Sequence, residues 1–195
     1  MEKNRLEAFS DGVLAIIITI MVLDLKIPHE ATLAALCAQW PIFLCYLLSF
    51  LYVGIYWNNH HHFYHATCRI DGRVLWANLH LLFWLSLIPF VTGWMGENHY
   101  APLPVAAYGA VLLLAALAWW LMQRALLAIP DNRNHLAAAL RGDVKARISP
   151  LAYLLAIALA WVDTRLSGLL YVAVALLWLV PDRRIERLLA GSGRE

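Results

Sequence analysis

The chain has 195 residues, of which 62% are hydrophobic and only 14% are Asp, Glu, Lys or Arg, for a net charge of +2 and a mean hydropathy of +0.63. Soluble domains run about 45–50% apolar and about 25% charged, so this composition excludes one and points to an integral membrane protein. So small a net charge gives no footing for nucleic-acid binding, and no nucleic-acid partner is expected.

A bilayer-spanning helix needs about 20 mostly apolar residues. The chain offers six candidates, at 5–25, 39–59, 74–95, 102–124, 147–163 and 165–181. The first follows Lys3 and Arg5 as a signal peptide would, but Asp11 interrupts its front and Asp24 and Lys26 follow it with no small-residue cleavage pattern. It reads as a retained first helix. The last two are short and joined by Val162-Asp163-Thr164-Arg165, so they compete with a single long span. Charge placement decides between these. All Lys and Arg except Lys26 and Arg165 fall in the N-terminus, the 60–73 loop, the 124–147 loop and the tail. Basic loops stay cytoplasmic, which requires an even number of passes with both termini inside. Trp40, Trp94 and Trp161 fall near the outer ends, and Trp57, Trp76 and Trp178 near the inner ones, as an interfacial aromatic belt would. The expected fold is therefore an all-α integral membrane protein with six transmembrane helices and cytoplasmic termini. Its domain covers 1–182, and a short cytoplasmic tail covers 183–195. Inside the 124–147 loop, "PDNRNHLAAALRGDVKARISP" is expected to form a short amphipathic helix before Pro150.

Polar residues inside the first span need an explanation. A charge near the bilayer centre costs about 2.5–3.5 kcal/mol on insertion scales. At about 100° per residue, Arg5, Phe9, Gly12, Ile16, Ile20 and Leu23 form one stripe. Ser10 and Asp11 lie well off it, on opposite sides. The isoleucine stripe faces either lipid and neighbouring helices or a pore narrowed by apolar rings. Asp11 is either a helix-start residue near the headgroups or part of a buried polar network. In the second reading its partners come from the inner ends of the next two helices: Trp57, His60, His61 and Asn78, together with Arg5 and Ser10. His61 and His65 have the i, i+4 spacing of helical zinc sites, yet no acid or cysteine completes a ligand set. Cys37, Cys45 and Cys68 fit no ligand spacing either. No metal, catalytic group or cofactor is expected.

"RLEAFSDGVLAIIIT", Arg5 to Thr19, resembles the R-x-x-x-F-S-D…T signature of the transmembrane protein 175 family of potassium channels. "WNNHH" (Trp57 to His61), "WANLHLL" (Trp76 to Leu82) and "IPF" (Ile88 to Phe90) resemble its second- and third-helix patterns. The resemblance is strong over the first half and only topological after Ala101. It implies a single-repeat prokaryotic channel in the inner membrane, assembled as a homotetramer in the lipid bilayer, that passes potassium and other monovalent cations. It further implies that the first helix lines the pore. Ile16, five residues after the signature aspartate, would form the constriction, Ile20 and Leu23 the next rings, and Thr19 would flank the pore line. Arg5, Ser10 and Asp11 would tie the first helix to the second and third. Ala15 stands where two-repeat channels carry a serine, which implies only modest preference for potassium over sodium. The competing expectation is a proton-coupled secondary transporter in which Asp11 and the histidines relay protons. A further alternative is a membrane enzyme or metal protein built on the histidine cluster.

Overall fold

A backbone inside a bilayer has no water to satisfy its N–H and C=O groups, so apolar runs of this length become helices. The computed structural model describes residues 3–133, 136 and 144–179, and no strand occurs among the described residues. Its helices are α1 (Lys3–Leu23), α2 (Leu33–Ala38), α3 (Trp40–His65), α4 (Gly72–Ser86), α5 (Ile88–Glu97), α6 (Pro102–Leu127), α7 (Val144–Leu159) and α8 (Thr164–Leu179). Among the described residues, four stretches are long and apolar enough to cross a membrane: Lys3–Leu23, Trp40–His65, Gly72–Glu97 and Pro102–Leu127. The tail at 183–195, the end of the last predicted helix and Arg141 lie outside the described residues.

Local signals set the helix ends. The Asp71 carboxylate accepts from Val74 N–H at 3.0 Å and caps α4, and the Thr32 hydroxyl does the same for Ala35 in α2. Prolines open α3 and α6, where the missing N–H costs no helical bond. The histidine run contains no breaker, so α3 continues six residues beyond the predicted end at 59 and stops at His65. The predicted continuous helix 74–95 is interrupted at Leu87. Pro89 has no N–H to give the Leu85 carbonyl, and the Leu87 N–H turns to Trp84 O instead of the carbonyl four residues back. Near the C-terminus a turn at 160–163 separates α7 from α8. The two lie antiparallel: Ser167 Oγ donates to Ala156 O at 2.6 Å near the turn, and Trp178 Nε1 donates to Ser149 Oγ at 2.8 Å at the far end. The 147–179 stretch is thus a hairpin and not one long helix.

The buried centre is carried by α6. Burial of apolar groups drives little association within a bilayer, so small residues and interhelical hydrogen bonds decide the packing. Ala106, Ala115 and Ala118 of α6 are buried in this way. Tyr52 donates to Tyr171 O at 2.6 Å, Tyr171 donates to Val105 O at 3.0 Å, and Ser49 bonds both Thr92 (2.6 Å) and Tyr108 (3.0 Å). Gly109 makes room for this arrangement, since a Cβ there would fall on the Tyr171 hydroxyl. Gly109→Ala is therefore expected to cost about 1–3 kcal/mol, the usual range for overpacking. Thermal unfolding in detergent checks it, and adding Tyr171→Phe, which removes the clashing oxygen, should recover part of the loss.

Candidate functional site

The α1 helix has two unlike sides. Leu6, Ser10, Leu14, Ile17 and Met21, at spacings of four and three, are buried against the chain. Phe9, Ile16, Ile20 and Leu23 are exposed, Ile16 by 58% and Leu23 by 80%. Gly12 and Thr19 are exposed with them, and the Thr19 hydroxyl is turned back onto Ala15 O (2.8 Å) and Ile16 O (3.0 Å) of its own helix. The stripe read from periodicity is the side of α1 that its own chain leaves uncovered.

The buried side is held by a directed chain of hydrogen bonds. Asn78 Oδ1 can only accept, so His60 Nε2 donates to it, at 2.8 Å. Asn78 Nδ2 then donates to Ser10 Oγ at 2.9 Å, and Ser10 Oγ donates to Leu6 O at 2.9 Å. All three side chains are almost fully buried. The link joins α3, α4 and α1 at one depth. Beside it, Trp57 Nε1 donates to Asp11 Oδ1 at 3.1 Å, and the His61 ring stacks on Trp57. Arg5 is exposed and joins none of these bonds. At the N-terminal end of α1, Lys3 Nζ donates to Thr67 O (3.2 Å) and His65 O (3.5 Å), closing the carbonyl end of α3. Just past the C-terminal end of α1, Lys26 pairs with Glu97 at 2.8 Å. The helix is thus tethered at both ends and in the middle, always away from the exposed stripe.

Residues 5–89 match the family model described as "Endosomal/lysosomal potassium channel TMEM175". A potassium channel of Chryseobacterium sp. (strain P1-3) is 49% identical over 187 residues, 96% of this chain and 97% of that one. The chain belongs to the TMEM175 family. A potassium channel of Streptomyces collinus is 34% identical over 178 residues, 85% of this chain and 86% of that one. The crystal structure of a lysosomal potassium-selective channel TMEM175 homolog from Chamaesiphon minutus superposes with a TM-score of 0.79 at 29% identity, covering 92% of this chain and 97% of that chain. The matched segment ends at Pro89, two residues past the break at Leu87, and it contains every member of the polar chain. The likeness of the whole chains carries the fold through α6, α7 and α8, where the motif resemblance had thinned.

Two features of this TMEM175 member had no signal in the sequence. The interlocked tyrosines Tyr52, Tyr108 and Tyr171 sit on three helices with no shared motif. Asn132 is fully buried and accepts from Cys68 N and Arg69 N while donating to Arg69 O and Leu126 O, pinning the α3–α4 loop to the end of α6. Its turn-like setting, "PDNRN", marks a loop and no more. No group of three potential metal ligands occurs among the described residues.

Proposed function

We propose that the protein is a potassium-permeable cation channel, a homotetramer of six-span subunits with both termini on the basic, cytoplasmic side of the cell's inner membrane. α1 lines the pore. Ile16 forms the constriction, Ile20 and Leu23 continue the apolar lining, and Thr19 lies at its flank. The observation that carries this reading is the division of α1 into a tethered face and an uncovered aliphatic edge. Relatives named potassium channels and the likeness to a solved potassium-selective homolog support it.

The chemistry follows from the lining. Neither the side chains of an isoleucine ring nor the internally bonded Thr19 hydroxyl replaces much of an ion's hydration shell, so ions shed part of their water at the constriction with incomplete compensation. Such a pore favours potassium over sodium only modestly, because potassium holds its water less tightly. No reaction takes place and no cofactor takes part. Asp11, Ser10, His60 and Asn78 hold the helix in place.

The test is a recording from purified protein in planar bilayers under potassium/sodium bi-ionic conditions. Discrete current steps with a reversal potential displaced a few tens of millivolts toward potassium are expected. Saturating, stepless, pH-coupled transport would overturn the channel reading in favour of a proton-coupled transporter. That rival is opposed by the bonds already committed at Asp11 and His60.

A further inference from the structure

The uncovered edge of α1 has two flanks, and they differ. On one side, about 40–100° from Ile16, Ile17 and Ile20 line a groove of about 450 Å³ whose opposite wall is Ser86, Pro89 and Phe90. Beyond that groove rises an exposed aromatic ridge, Trp76 (76% exposed), Phe83 (54%) and Phe90 (65%), at successive seven-residue intervals along α4 and α5. On the other side, about 60–120° away, stand Ala8, Ala15, Thr19 and Val22, all exposed. Next to this small-residue flank, Gly12 faces open space, with nothing within 4 Å of where a Cβ would be. A glycine in mid-helix weakens the helix and serves nothing within this chain.

The depths match as well. The Asn78–Ser10 hydrogen bond sets α4 level with α1 at that point, and both helices climb in the same direction by about 1.5 Å per residue. Trp76, Phe83 and Phe90 therefore stand about level with Ala8, Ala15 and Val22. Seating of Phe90 beside Ile20 in the groove agrees with this register. His80 lies on the same exposed face as the ridge, with Trp84 Nε1 donating to its Nε2 at 2.9 Å. An imidazole exposed within a span is costly against acyl chains, which argues for a protein cover. Surfaces suited to lipid look different here: α7 and α8 expose Leu151, Leu154, Leu155, Leu166 and Leu169.

We infer that the aromatic ridge of α4 and α5 docks on the small-residue flank of α1 in the next copy of this chain, with Trp76 over Ala8, Phe83 over Ala15 and Phe90 over Val22. The contact joins two different surfaces, so repetition around an axis closes a ring in which every subunit is equivalent. Small residues allow the close approach that packing in a bilayer requires. This inference rests on the ring of α1 helices proposed above and adds which faces meet and in which register.

Paired cysteines test it. In a chain whose Cys37, Cys45 and Cys68 are replaced, Ala15→Cys and Phe83→Cys are placed on separately tagged, co-expressed chains. A short bifunctional methanethiosulfonate in native membranes is expected to give a two-chain product carrying both tags, and a ladder up to the full oligomer when one chain holds both cysteines. Ala8→Cys with Trp76→Cys is the second pair, so one poorly folding variant does not decide the matter. Ala15→Trp is expected to shift the native mass from oligomer to monomer, while Leu169→Trp leaves it unchanged. Co-purifying chains with no mixed-tag product at either pair, or Ala15→Cys chains that join only each other, would overturn the inference. Flux raised by Ile16→Asn without mixed-tag product defeats this docking and leaves the pore reading intact. The mixed-tag product with flux indifferent to Ile16 defeats only the pore reading.

Discussion

Ile16→Asn is expected to raise potassium flux through liposomes by about tenfold, equivalent to about 1.4 kcal/mol off the barrier. Ile16 is 58% exposed on a helix otherwise anchored to its own chain. In the proposed pore four such side chains meet and leave a passage that excludes water. Asparagine is smaller and offers an amide to water and ions, so it both widens and wets the constriction. The barrier it removes is the dewetting of the constriction. Selectivity should fall along with the barrier, because a wetter passage distinguishes cations less. Ile16→Phe should act in the opposite direction and suppress the flux. A folded Ile16→Asn protein with wild-type flux would take Ile16 out of the pore.

The second large effect is expected at Asn78. Its amide accepts a hydrogen bond from His60 and donates one to Ser10, at 2.8 and 2.9 Å. Asn78→Leu keeps the branched shape, with bulkier methyl groups, and leaves a donor on α3 and an acceptor on α1 without partners in a nearly water-free site. Interhelical bonds within membranes average about 0.6 kcal/mol, with a ceiling near 1.7 kcal/mol, so losing two costs about 1–3 kcal/mol. Thermal unfolding in detergent reads this as a lowered midpoint. Asn78→Asp, which still accepts from His60, should lose less than Asn78→Leu. Equal losses would show that the effect comes from packing and not from hydrogen bonding.

Much of this arrangement was legible in the sequence because its signals are periodic or local. The hydropathy runs located the apolar helices, although the second runs six residues further than expected and the third is broken at Leu87, and the 3.6-residue period separated Ile16, Ile20 and Leu23 from Ser10 and Asp11. The polar residues that the sequence grouped as candidates do include the three that meet at Asn78. Arg5, grouped with them, stands exposed, since a long cationic side chain at a helix start reaches water more easily than it reaches a buried partner. The break at Leu87 was missed because the apolar run continues through Pro89 without a change in composition. The tyrosine lattice and Asn132 were hidden for another reason. Their partners are mostly backbone carbonyls and amides far along the chain, and a backbone group leaves no mark in a sequence.

The interruption at Leu87 divides the support of α1 between two segments. α4 grips its N-terminal half through Asn78, and α5 lies along its C-terminal half and carries Glu97, the counterion of Lys26. A helix lacking one carbonyl–amide bond bends there more cheaply than elsewhere. The C-terminal half of α1 can therefore lean with α5 while the N-terminal half stays fixed, so the two parts of one rod need not share the same stiffness.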